Sequence, residues 1–122
     1  MSPSPYVGPH WLDSVGPGWH GLLRWVHDSF KRHNIAPIYR QVKEKFGSLR
    51  IYCELDETVH TPESDDFDQL LNTMNDIIDA AEKASSRMCD QCSQPAKTHN
   101  VRNTHWFLTI CAECERREVN NQ

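Results

Sequence analysis

Apolar and polar positions along the chain change period three times, and each change predicts an element. Trp19, Leu22, Leu23, Val26 and Phe30 recur at i, i+3, i+4, i+7 and i+11, which predicts one buried face of an α-helix from Trp19 to about His33. Ile35-Ala36-Pro37 ends it, because proline disfavours helical geometry in the residue before it. The period then drops to two. Leu49, Ile51, Cys53 and Leu55 alternate with Arg50, Tyr52 and Glu54, and Ile38 and Val42 share a parity in the preceding run, with Phe46-Gly47 between them. A hairpin is predicted, with Val42 opposite Ile51 and Ile38 opposite Leu55 so that apolar side chains meet. Thr61-Pro62-Glu63 reads as the start of a second helix, with Thr61 as cap and Pro62 in the first turn. Phe67, Leu70, Leu71, Met74, Ile77, Ile78 and Ala81 continue its stripe to about Ser86. The acidic cluster Glu63, Asp65, Asp66 and Asp68 then falls in the first turns, where the helix dipole favours carboxylates.

Beyond the second helix stands Cys89-Asp90-Gln91-Cys92, and 18 residues further on Cys111-Ala112-Glu113-Cys114. Two such pairs at this separation match a four-thiolate zinc ribbon, in which each pair turns two sulfurs toward one tetrahedral ion. The alternating run Thr104 to Ile110 is expected to enter the second pair as a strand. Cys89, Cys92, Cys111 and Cys114 are therefore the expected ligands of a structural Zn2+. His99 and His105 are read as surface or supporting groups, since four sulfurs already close the site. Such a site leaves no open position for a water, which argues against metal-assisted catalysis. A base deaminase would need an H-x-E segment and a Pro-Cys pair, and a thioredoxin-like centre would need a βαβ frame; neither pattern is present.

The predicted fold class is α+β: two amphipathic helices packed on a small antiparallel sheet, followed by the ribbon. Segment boundaries are expected at 1–18, an irregular arm rich in proline and glycine; 19–87, the body; 88–117, the ribbon; and 118–122, a tail. Tyr6, Trp11 and Leu12 are candidates for pinning the arm to the body. The residues from Glu115 onward are expected to end in a short helix or fray.

Composition narrows the function. The chain has 122 residues, with 13 Lys and Arg against 17 Asp and Glu, for a formal net charge of −4. That balance argues against coating nucleic acid by bulk charge. No apolar run approaches the ~20 residues of a membrane span, and paired thiols suit a reducing compartment, so a cytosolic location is expected. Cys53, the fifth cysteine, lies in a strand and reads as a small buried hydrophobe. His20 and His27 lie two helical turns apart, about 10 Å, too far to share a ligand.

In the predicted register Lys43 faces Arg50 across the hairpin, and Tyr39, Gln41, Lys45 and Tyr52 complete that outer face. Like charges directly opposite each other destabilise a hairpin, so an anionic partner is expected, within this chain or outside it. Phe46 at the tip is unusual for its size. Lys43, Lys45, Phe46, Arg50 and Tyr52 are the candidate partner-binding residues, with Trp106 and Phe107 as further aromatic anchors. Packing against the second helix is the expected role of Trp106. The leading expectation is a non-enzymatic protein that docks on another protein through a preformed surface. The alternative is a nucleic-acid-binding ribbon that uses the cations and aromatics of the hairpin. No catalytic motif is found, and a small-molecule substrate is not expected. Arg40 and Glu44 could form a pair on the apolar side of the hairpin.

Gly18-Trp19-His20-Gly21-Leu22-Leu23, Lys45-Phe46-Gly47-Ser48-Leu49-Arg50-Ile51-Tyr52 and the paired cysteines together resemble a group of small bacterial and phage proteins of uncharacterised function, over about Pro17 to Cys114. The resemblance implies a bacterial or viral origin. By analogy with small phage proteins that block host defences, it suggests an inhibitor of a system such as CRISPR in the host cytosol.

Overall fold

A computed structural model describes residues 9–101 and 107–120, with side chains described for 11–101 and 107–117. The order of elements is α1 (Pro9–Leu12), a 3-10 turn (Pro17–Trp19), α2 (His20–Arg32), β1 (Pro37–Lys45), β2 (Ser48–Leu55), α3 (Phe67–Ser85), β3 (Thr98–Asn100), β4 (Phe107–Thr109) and α4 (Ala112–Asn120). Two small antiparallel sheets, β1-β2 and β3-β4, and the helices around them make an α+β fold. Among the described residues no helix is long and apolar enough to cross a membrane.

The body core forms where the helical stripes meet the inner face of the hairpin. Trp19, Leu23, Val26 and Phe30 from α2 and its approach are fully buried, with Met74 and Ala81 of α3 and Leu49 of β2 nearly so. Burying side chains of this size stabilises by about 1.5–3 kcal/mol each before ordering costs are counted. β2 is also tied to α3 through its outer edge. Leu49 N–H donates to Ser85 Oγ and Ile51 N–H to a Glu82 carboxylate oxygen, at 2.8 and 2.9 Å. Side chains of the helix thereby satisfy strand donors that a third strand would otherwise take.

The register matches expectation near the tip and departs from it at the base. Val42 pairs with Ile51, Lys43 with Arg50 and Gln41 with Tyr52, but a bulge between Tyr39 and Gln41 puts Pro37, not Ile38, opposite Leu55. A bulge inserts one residue and reverses the faces beyond it. Tyr39 is consequently buried at 9 % exposure, its ring centroid 6.2 Å from that of Phe30, while Ile38 is half-exposed. The expected outer-face position of Tyr39 is thus corrected. Burial raises its phenol pKa well above the ordinary value, with the nearby Cys53 thiol adding to the effect. Burial likewise pushes the Cys53 thiol up to about 12, in keeping with a packing role.

Arg40, the bulged residue, pairs with Glu54 at 2.9 Å on an exposed face, so the expected Arg40–Glu44 pair does not form. The second helix starts later than expected. Ser64 N–H donates to the Thr61 carbonyl and the Ser64 hydroxyl to Asp66, which makes Thr61 to Asp66 a pair of turns with Pro62 inside the first. Only Asp68 of the acidic cluster therefore sits in the first turn of α3.

The approach to α2 is more ordered than its proline content suggested. Trp11, Leu12 and Val15 pack against the body core. Tyr6 lies outside the described residues.

Candidate metal centre and its joint with the hairpin

Each cysteine pair closes on itself through backbone donors. In the first, Gln91 N–H points at Cys89 Sγ at 3.4 Å, Ser93 N–H donates to the Cys89 carbonyl, and Ser93 takes a φ of 71° to turn the chain out. In the second, Cys114 N–H points at Cys111 Sγ at 3.4 Å, and Glu115 N–H donates to the Cys111 carbonyl as α4 begins. Such bends give sulfurs three positions apart a common target. The antiparallel pair β3-β4 then carries the second bend back to the first.

The four sulfurs lie within 4.8 Å of one another, and Cys92 Sγ and Cys111 Sγ are 3.7 Å apart. A tetrahedron with metal–sulfur bonds of about 2.3 Å has edges of about 3.8 Å. The donor set therefore fits a single ion. All five cysteines are free thiols. Cys89 is fully buried and Cys92 exposed, so the site is open on one side only. The Cys111 thiol is drawn down to about 7, first by the Cys114 backbone N–H, while burial and the three neighbouring sulfurs push Cys114 upward. One thiolate thus forms readily, and a cation held by all four sulfurs must displace the remaining protons.

His99, expected as a surface or supporting group, is half-buried. It holds the Lys97 carbonyl at 2.9 Å and Glu115 of α4 at 3.0 Å, which raises its pKa. Thr104, His105 and Trp106 lie outside the described residues, and β4 spans Phe107–Thr109.

Three further contacts bind this module to the body. Gly18 N–H donates to the Asp90 carbonyl at 2.8 Å, and the Gly18 carbonyl accepts from Ser93 Oγ at 2.6 Å. A Cβ on Gly18 would stand 2.1 Å from the Cys89 carbonyl oxygen, so only glycine admits this approach. Trp19 Nε1–H donates to the Met88 carbonyl at 3.0 Å.

The third contact is at the tip of the hairpin. Phe46 and Gly47 form a two-residue turn with φ of 54° and 83°, the primed type that matches strand twist. Glycine suits that conformation, whereas a phenylalanine there is strained. The strain is held by neighbours on both sides. Gly47 N–H donates to Glu44 Oε1 at 2.8 Å, and the Gly47 carbonyl accepts from Thr109 Oγ1 at 2.5 Å. Thr109 is fully buried, its hydroxyl is also 2.5 Å from that of Thr98, and its carbonyl accepts from Asp90 N–H inside the first cysteine bend. A continuous hydrogen-bonded path thus runs from the sulfur cluster to the hairpin tip.

The candidate partner residues are distributed around that tip. Phe46 is 70 % exposed, with Lys45 Nζ 5.8 Å from its ring centre. Lys43 Nζ stands 5.7 Å from the ring of Tyr52, which is also exposed. Arg50 is drawn away, its Nη1 3.9 Å from Glu82 of α3. Sequence reasoning missed the roles of Gly18, Thr98, Thr109 and Ser85, because each acts only through a tertiary approach; Glu44, expected to pair with Arg40, instead accepts from the Gly47 N–H. A separate polar cleft of about 320 Å³ lies between the end of α2 and the start of α3, lined by His33, His60, Asp66 and Gln69. His60 is engaged there as acceptor for Ala36 N–H.

No protein-family model, no curated protein and no solved structure matches this chain.

Proposed function

We propose that this chain is a non-enzymatic docking protein of the cytosol in which Cys89, Cys92, Cys111 and Cys114 hold a structural zinc ion, and in which that centre fixes the hairpin tip as a preformed contact surface for another protein. The buried bond from Thr109 to the Gly47 carbonyl carries this reading. It connects a residue two positions before a metal ligand to the turn that displays Phe46. A large aromatic kept in a strained, exposed conformation is a stability cost that a binding role explains. Preformed display lowers the entropy lost on association. Four sulfurs around one ion leave it no free coordination position, which supports a structural and not a catalytic role.

The resemblance to small bacterial and phage proteins extends the reading to a host component as partner, such as a defence protein. The nucleic-acid alternative is less well supported. Tyr39 is buried and Arg50 is directed to Glu82, which removes one aromatic and one cation from the face that alternative requires.

A photo-reactive benzoylphenylalanine at position 46 tests the proposal. In bacterial host extract the zinc-loaded chain should give a discrete protein adduct that disappears on chelation. Adducts with nucleic acid alone, or a protein adduct indifferent to the metal, would contradict it.

A further inference from the structure

The partner's chemistry can be read from what surrounds Phe46. β3 and β4 present one face to the hairpin tip, the face carrying Thr98 and Thr109, whose hydroxyls meet beneath the Gly47 carbonyl. Thr98 Cγ2 lies so close that a Cβ on Gly47 would be 2.7 Å from it. Side chains two apart on a strand share a face. Phe107 therefore emerges on the same face as Thr109, about 7 Å along the strand from the seat of Gly47. It is 43 % exposed, and Phe46, the residue before Gly47, is 70 % exposed. Two exposed aromatics from separate modules thus flank one seam, a composite patch that exists only while the seam is closed.

Cations outnumber carboxylates beside the tip, where Lys43 and Lys45 flank Glu44. Lys43 and Lys45 stand on the outer face of β1 beside the tip, with Tyr52 and Phe46 as ring neighbours and no carboxylate within ion-pair distance among the described residues. Glu44 is committed to the Gly47 N–H. The carboxylates Glu54, Asp56, Glu57, Glu63, Asp65, Asp66 and Asp68 follow the far end of the hairpin, so a chain of net charge −4 keeps a cationic, aromatic tip. Such segregation orients an approaching anionic surface and repels a basic one.

Resting on the docking role proposed above, we infer that the seam between Phe46 and Phe107 binds a protein segment in which apolar anchor residues are flanked by aspartate or glutamate. The apolar residues bury the two rings, and the acidic residues face Lys43 and Lys45. Nucleic acid would meet the same cations, but with Tyr39 buried and Arg50 directed to Glu82 the face lacks one aromatic and one cation that a base-stacking groove would use.

A random-peptide display library panned on the zinc-loaded full chain tests this directly. Recovered peptides should be enriched in Asp and Glu next to Phe, Trp, Leu or Met. The best of them, made synthetically and followed by fluorescence anisotropy, should lose about 30-fold in affinity on Phe46→Ala, the size of an interface hot spot. Phe107→Ala and the charge reversals Lys43→Glu and Lys45→Glu should each cost about tenfold, and the affinity should fall with salt. Lys83→Glu on α3, away from the patch, should leave it unchanged. Thermal melts of each variant separate lost contact from lost fold. Phe46-dependent peptides without acidic enrichment would overturn the acidic class and leave the docking role intact. Peptides indifferent to Phe46 and Phe107, or none at all, would overturn both. Preferential binding of a single-stranded oligonucleotide through the same lysines would overturn the inference, as would a dimer in sedimentation that Phe46→Ala disperses.

Discussion

The body and the cysteine module solve the same stability problem by different means. Among the described residues the body buries fourteen apolar residues in one cluster, from Trp19 to Ala81, and the module three, Cys89, Val101 and Ile110. Three buried side chains, at about 1.5–3 kcal/mol each, offset little backbone entropy at ~1–2 kcal/mol per ordered residue. The module must therefore draw on its attachment to the body and, in the reading proposed above, on an ion among its four sulfurs. In that reading the ion serves the body as well as the module, because the attachment ends at the hairpin turn.

Removing the ion should break this relation most completely. Structural zinc sites contribute on the order of 10 kcal/mol, so a strong chelator under reducing conditions, or Cys111→Ser, should unfold the region from Met88 to α4. Circular dichroism and fluorescence should show α2 and α3 retained. Loss of the whole fold in one step would instead make the two regions a single cooperative unit.

Gly18→Ala attacks the joint from the body side. Its new Cβ would meet the Cys89 carbonyl at 2.1 Å, and the expected cost is about 3 kcal/mol by chemical denaturation. Gly21→Ala serves as control, since nothing lies within 4 Å of its Cβ position in α2, and it should stabilise by about 0.5–1 kcal/mol. Equal effects of the two would show that the module does not press on Gly18.

Thr109→Val keeps the shape of the seam and removes its hydroxyl, leaving the buried Gly47 carbonyl without that donor. The expected loss is about 1–2 kcal/mol, with increased exchange at the Gly47 amide. Phe46→Gly should act in the opposite direction. It relieves a left-handed conformation worth about 1 kcal/mol and sacrifices little burial, so the melting temperature should hold or rise while partner binding is lost. A fall in melting temperature would mean that Phe46 supports the fold.

The smallest effect concerns His99 and Glu115. The Lys97 carbonyl, and then Glu115, raise the His99 pKa above its unfolded value. Stability from this contact is therefore fully present below about pH 6.5 and is lost as pH rises through the raised pKa. Both side chains are partly exposed, so the difference between wild type and His99→Gln should stay below about 0.5 kcal/mol and shrink toward alkaline pH. A difference that grows with pH would contradict the assignment.

Much of the body was legible because burial dictates periodicity. The stripe from Trp19 to Phe30 and the alternation from Leu49 to Leu55 each located an element, and the cysteine spacing located the sulfur cluster. Tyr39 was misplaced because a bulge leaves no mark in alternation; what favours it is the fit of one ring against Phe30. Pro62 misled for a related reason, since proline suits a tight turn as well as a helix start. The joint was illegible in principle. Gly18 closed an irregular arm, and Thr109 was one position of an alternating strand, until the approach of Cys89 and Gly47 gave each its role.

In the proposed reading an ion among the four sulfurs locks the turn that carries Phe46. Amide hydrogen exchange, residue by residue, before and after chelation measures this most directly. Gly18, Gly47 and Asp90 should lose protection together when the ion is withdrawn, while Leu49 and Ile51, held by Ser85 and Glu82, remain slow. Unchanged protection at Gly18 and Gly47 in the metal-free chain would contradict it.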